Sequence, residues 1–126
     1  MKLALLVMMI LLVPSPLFAS STSCESDLFE LAKQGKKLFQ TKGVCFKCHG
    51  MNGDGQYKDD EKVDSLNPKP TDFTKRDLLK YPSDDARYSA IRNGIKGTGM
   101  PPFRGILRDG EIRLIIEYLE VLKDGC

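Results

Sequence analysis

The stretch Gly43-Val44-Cys45-Phe46-Lys47-Cys48-His49-Gly50 decides how the rest of the chain is read. Cys45 and Cys48 stand about one helical turn apart, and an imidazole follows directly at His49. Several chemistries use two cysteines at this spacing. A redox dithiol uses Cys-x-x-Cys, but it is expected beside a βαβ pattern that this sequence lacks. A structural zinc site needs four ligands, so Cys24 or Cys126 would have to join from the chain ends, without the second close pair usual in zinc modules. A disulfide between Cys45 and Cys48 would close a very short, strained ring and leave the histidine unexplained.

One further chemistry uses all three side chains. Two thiols one turn apart reach the vinyl groups on one edge of a haem, and the adjacent imidazole meets the iron as its proximal ligand. The motif therefore predicts a single haem c attached covalently through Cys45 and Cys48, with His49 on the metal. His49 is the only histidine, so the other axial position falls to methionine, lysine or water. Met1, Met8 and Met9 lie in the leading segment, and Met51 is too near His49 along the chain to cross to the far haem face, which leaves Met100. Met100 sits in Gly97-Thr98-Gly99-Met100-Pro101-Pro102-Phe103, where glycines let backbone approach a flat cofactor and prolines stiffen the strap. Methionine also fills core gaps, but a Gly/Pro loop beside a haem favours ligation. Histidine with methionine closes the coordination sphere and raises the reduction potential.

Working outward, Met1-Lys2, the apolar run Leu3 to Val13 and the small residues at Ala19 and Ser20 read as a cleaved secretory signal over residues 1–19. The run is shorter than the roughly 18 residues a spanning helix needs. Residues 20–126 then form one exported domain, periplasmic or otherwise outside the cytoplasm, with the membrane surface a place it could associate. Disulfides persist in such compartments. A bridge between Cys24 and Cys126 is one expectation, provided the terminal helices bring their Cα atoms within roughly 7 Å. Lipidation of Cys24 is the alternative, weakened because Ser21-Thr22-Ser23 supplies no apolar residue before it.

Asp27-Leu28-Phe29-Glu30 has the capping-box pattern, and Leu28, Leu31, Ala32, Gly35, Leu38 and Phe39 recur at helical spacing, predicting a helix that ends near Thr41. Gln56 to Lys69 is polar and punctuated by proline, and reads as surface loop. A short helix is expected over Thr74 to Tyr81, stopped by Pro82, then another capped by Ser83 and ended by Asn93-Gly94. Asp109 opens a last helix whose stripe is Ile112, Ile115, Ile116, Leu119 and Leu122. A net charge of +2 suggests no nucleic-acid surface. After signal removal about a hundred residues without tryptophan must build a core, which a buried cofactor would help complete. Lys42, Lys47, Lys58, Lys62, Lys69 and Lys96 are candidates to steer an acidic partner, against the plainer reading of a solvated surface. Arg92, Lys96 and Thr98 are candidates to contact haem propionates.

Taken together, Gly35 and Phe39, the Cys45 to Gly50 block, Gly53 and Gly55, Asn93-Gly94, the Gly97 to Phe103 strap and Tyr118-Leu119 resemble the small class I cytochromes c of bacteria. The likeness is strongest to the single-haem type related to cytochrome subunits of haem-copper oxidases. It covers nearly all of residues 20–126, and the cysteine–histidine block is its most specific part. The resemblance implies an all-α cytochrome c fold, with three to four helices around one covalently bound haem. It implies that the first and last helices cross beside the cofactor, Gly35 and Phe39 against Tyr118 and Leu119. It also implies that a proline carbonyl accepts the other ring proton of His49, Pro70 being the candidate and Pro68 the alternative. The stretch Tyr57 to Leu66 lengthens this connection relative to shorter relatives. The function implied is one-electron carriage between redox protein donors and acceptors, membrane respiratory complexes among them, with no catalysis of its own. The rival readings are a haem enzyme or gas-binding subunit in which Met100 dissociates, and a thiol or metal protein without haem.

Overall fold

Apolar residues recurring every three or four positions make the two long helices, α1 over Ser26–Gln40 and α5 over Asp109–Asp124. This computed structural model describes residues 26–57, 61–75 and 81–124. Between the long helices lie α2 over Phe46–His49, α3 over Glu61–Asp64 and α4 over Asp84–Asn93. Residues 1–19, read above as a signal, and Cys24, Lys58 and Cys126 fall outside the described residues, and so does the expected Cys24–Cys126 bridge. Among the described residues there is no strand, only one isolated bridge between Arg104 and Leu107. The all-α expectation holds: among the described residues there are five helices where three to four were expected, α2 and α3 being single turns of four residues each.

The stripe of α5 is buried as its spacing predicts: Ile112, Ile115, Ile116 and Leu119 lie in the core with Tyr118, and Leu122 packs against them. On α1 only part of the expected stripe turns inward. Ala32 and Phe39 are buried and Leu38 packs on the core, whereas Leu28 and Leu31 stay exposed. A Cβ added at Gly35 would collide with the Leu114 carbonyl and lie 2.9 Å from Tyr118 Cβ, so the helices meet backbone to backbone there. One turn on, Phe39 meets Tyr118 edge to face, ring centroids 5.4 Å apart.

The helix ends correct the sequence reading in two places. α1 already includes Ser26, which puts Asp27 inside the first turn instead of at the cap, and Glu30 pairs with Lys33 at 2.7 Å. At α5 the capping interaction comes from within the helix, Glu111 Oε2 accepting from the Arg108 backbone N–H at 2.8 Å. Ser83 caps α4 as expected, its Oγ accepting from Ala86 N. The stretch read as surface loop contains α3, whose Val63 is buried. Thr74 lies in a turn held by Asp72 Oδ1, and the rest of the helix expected there falls on residues 76–80, outside the described residues.

Lys42, just past α1, reaches across to Glu111 at 2.7 Å and ties the two helices from outside. The Arg108 backbone N–H, then Lys42, hold the Glu111 carboxyl down to about 2 from an ordinary 4.5. A depressed carboxylate stabilises the fold above its unfolded pKa and stops doing so as pH falls through its folded value. Glu111→Gln is therefore expected to lower Tm at neutral pH, with the gap to wild type closing between about pH 4.5 and about pH 2 in a Tm-against-pH series. Gly35→Ala is expected to cost about 1–3 kcal/mol by forcing α1 and α5 apart, read as a lower urea midpoint at unchanged slope.

Candidate functional site

The turn that carries the cysteines hangs from the end of α1. Gly43 N donates to Leu38 O at 2.8 Å and Cys45 N to Phe39 O at 2.9 Å, so the last turn of α1 fixes where Cys45 begins. Val44 adopts φ +44°, a left-handed conformation unfavourable for a β-branched side chain. Its N–H bonds Thr41 O and its carbonyl accepts from Lys47 N, which hold it there. His49 N to Cys45 O at 2.9 Å closes α2 and sets both thiols and the imidazole on one turn.

His49 is then clamped from the chain that follows. Its Nδ1 donates to the Thr71 carbonyl at 3.0 Å, and its ring stacks on Phe73 with centroids 4.6 Å apart and planes 29° from parallel. The bond fixes the tautomer, leaving Nε2 for a ligand. The acceptor corrects the expected proline: Pro70 contributes to the cavity wall, and the carbonyl that meets the ring belongs to the next residue. Phe73 is seated by its own N–H, which donates to Gly53 O at 2.8 Å, and Gly55 N returns to His49 O. Burial pulls the His49 pKa below its ordinary value, against the opposing bond to Thr71, and favours the neutral ring that binds metals.

Met100 is presented by a strap folded back on the end of α4. Ile95 N donates to Met100 O at 3.1 Å, Met100 N to Thr98 Oγ1 at 3.1 Å, and Phe103 N to Ile91 O at 3.1 Å. Gly94, at φ +70°, lets the strap lie directly on the helix end, since a Cβ there would stand 2.7 Å from Pro102 N. Asn93-Gly94 ends α4 for this reason.

Cys45, Cys48, His49 and Met100 all line one cavity of about 390 Å³. Phe39, Ile115 and Leu119 contribute helix wall, and Ile91 and Phe103 the wall beneath the strap. The volume falls within the roughly 300–1,000 Å³ of small-molecule and cofactor sites, and the lining is predominantly apolar. The donor set is two thiols, one oriented imidazole and one thioether, which fits a c-type haem. Burial, with repulsion from Cys48 adding to it, pushes the Cys45 thiol up to about 12 despite a backbone hydrogen bond. A reactive dithiol needs a depressed pKa, so this environment opposes the thiol-redox reading. Among the described residues no three His, Cys, Asp or Glu side chains gather as a metal site.

Other expected residues are placed differently. Arg92 pairs with Asp109 at 2.5 Å, and Lys96 lies exposed; of the three propionate candidates only Thr98 lines the cavity. Among the steering lysines, Lys42 is engaged by Glu111 and Lys69 by Asp64 O and Tyr57. Sequence reasoning missed Phe73, Leu66 and Tyr81, all of which line the cavity. The aromatic placed three residues after Pro70 was a usable signal for Phe73. Leu66 carried none, because it sits in a charged stretch.

No curated protein matches the chain. Among solved structures, a chain of the reducing HAO-like protein complex of Kuenenia stuttgartiensis is similar at 29% identity and a TM-score of 0.63. The similarity covers 74% of this chain and 44% of that one, so this chain spans less than half the length of its structural relative. The family model described as cytochrome c oxidase, cbb3-type, subunit III matches residues 30–119. That match runs from α1 through the cysteine–histidine turn and the methionine strap into α5. The chain therefore belongs to the family of cbb3-type cytochrome c oxidase subunit III, a family of c-type cytochrome domains.

Proposed function

We propose that this chain is an exported mono-haem cytochrome that carries one electron at a time between redox protein partners. On this reading residues 1–19 are removed as a signal, residues 20–126 act outside the cytoplasm, Cys45 and Cys48 hold the haem as thioethers, and His49 and Met100 are the axial ligands. The observation that carries it is the convergence on one apolar cavity of two thiols, an imidazole already bonded at Nδ1, and a thioether on a hydrogen-bonded strap.

A bound haem supplies an iron that alternates between ferric and ferrous states. The chain's part is to keep the ligand atoms still while that happens. Thr71 and Phe73 fix the plane and tautomer of His49, so its Nε2 keeps one direction. Thr98 and Ile95 fix the backbone of Met100 from both sides. The apolar wall of Phe39, Ile91, Phe103, Ile115 and Leu119 excludes water and keeps the local dielectric low. Membership in an oxidase-subunit family, and likeness to a chain of an HAO-like complex, support redox proteins as partners, membrane respiratory complexes among them.

A second reading is favoured by that same likeness to an HAO-like complex: a haem enzyme or gas-binding subunit in which Met100 leaves the iron. The two differ in coordination. The test is expression with a c-type cytochrome maturation system, acid extraction, and visible spectra of wild type and Met100→Ala. The carrier reading expects haem that stays with the polypeptide, a methionine-to-ferric-iron band in wild type alone, and no rapid carbon monoxide binding to the reduced protein. Met100→Ala should lose the band and lower the potential by on the order of 0.1 V, within the roughly 0.8 V that axial ligands span. Covalent haem without the band moves the open-site reading ahead, and extraction of all haem overturns both.

A further inference from the structure

Electron carriage leaves the segment Tyr57 to Leu66 unexplained. Leu66 lines the cavity with Pro68 and Lys69. A Cβ placed on Gly99 would stand 2.5 Å from Leu66 Cδ2 and 2.9 Å from Cδ1, and its three nearest atoms all belong to Leu66. The isobutyl group thus lies flat on the backbone immediately before Met100. Further along the same short stretch, Thr71 accepts the hydrogen bond of His49. One connection therefore touches the histidine at one end and the methionine strap at the other.

Leu66 is braced from behind. α3 buries Val63, and Leu66 N donates to Val63 O at 3.1 Å. Tyr57 OH donates to Asp64 Oδ1 at 3.2 Å, and Lys69 Nζ donates to Asp64 O at 2.5 Å and to Tyr57 OH at 3.3 Å. These contacts close the segment on itself and hold Leu66 forward. The strap is anchored to the end of α4, Ile95 N donating to Met100 O and Phe103 N to Ile91 O, and its Gly97, Gly99, Pro101 and Pro102 are exposed. Away from that anchor, the side chain that meets Gly99 is Leu66.

We propose that Leu66 is a positioning residue for Met100: by filling the space over Gly99 it denies the strap room to swing away, and so sets how readily another ligand replaces the methionine thioether. This inference rests on the assignment of Met100 as an axial ligand. The exchange is a simple substitution in which an incoming nitrogen takes the coordination position that the sulfur vacates, with no change of oxidation state. The apparent affinity of a competitor then scales with the population of the strap-open state.

The test uses the ferric holoprotein with covalent haem, titrated with imidazole and followed by loss of the methionine band. Leu66→Ala is expected to bind imidazole about 10-fold more tightly or better, through an equal rise in the open population. Leu66→Val, which trims less, should fall between alanine and wild type and keeps the measurement available where the alanine variant fails to mature. Ile116→Ala is the control for general loosening, because Ile116 is buried in the core without lining the cavity. It should lower Tm while leaving imidazole affinity unchanged. Wild-type affinity in both Leu66 variants overturns the proposal, as does an equal rise in Ile116→Ala. Absence of the methionine band from wild type overturns the ligand assignment and this inference with it, and is recognised before any variant is compared.

Discussion

The backbone contact of α1 with α5 at Gly35 governs the placement of nearly everything else. Because the helices touch where Leu114 and Tyr118 pass, Phe39 one turn further on falls between Tyr118 and Phe73, edge-on to both rings. The Phe39 carbonyl then receives Cys45 N, which suspends the cysteine-bearing turn from the end of α1. Ile115 and Leu119, on the same side of α5, become cavity wall. A side chain at Gly35 would move Phe39, and with it the turn that carries Cys45, Cys48 and His49. Lys42 and Glu111 close the same junction from the solvent side, so the crossing is held by packing within and charge without.

The wall of the 390 Å³ cavity is drawn from the core itself, Phe39 and Ile115 belonging to both. Whatever occupies it completes the core and stabilises the native state by mass action. Folding and cofactor loading are thus linked through the same side chains.

Much of this was legible in the sequence because local rules fixed it. The spacing of Cys45, Cys48 and His49, the stripe of α5, the Ser83 cap and the Asn93-Gly94 stop depend on neighbours a few residues away, and each appears where its pattern puts it. What failed depended on contacts between distant segments. Leu28 and Leu31 keep helical spacing with Phe39, yet stay exposed, while Ala32 and Phe39 are the buried positions of α1. The acceptor for His49 moved from Pro70 to Thr71 because one residue of register in an irregular connection reverses which carbonyl faces the ring. Arg92 was a reasonable partner for an anionic cofactor by position alone, but Asp109 at the start of α5 claims it. The charged segment Tyr57 to Leu66 misled most: Val63 and Leu66 are separated by polar residues at one-turn spacing, a signal too short to separate from loop.

The site divides the task of holding its two ends differently. The histidine side is overdetermined: the helical turn, the Thr71 bond and the Phe73 stack all constrain one ring that is itself half-buried. The methionine side is a short exposed strap, rigid within itself through Thr98 and Ile95 but joined to the body mainly at Gly94 and Phe103. Thioether is also the weaker and more replaceable donor of the two. An arrangement of this kind places its stability reserve on one wall and its adjustability on the other. Packing that meets the strap from a different segment, such as the Leu66 side chain on Gly99, therefore bears on the weaker donor, while Met100 itself packs against the core.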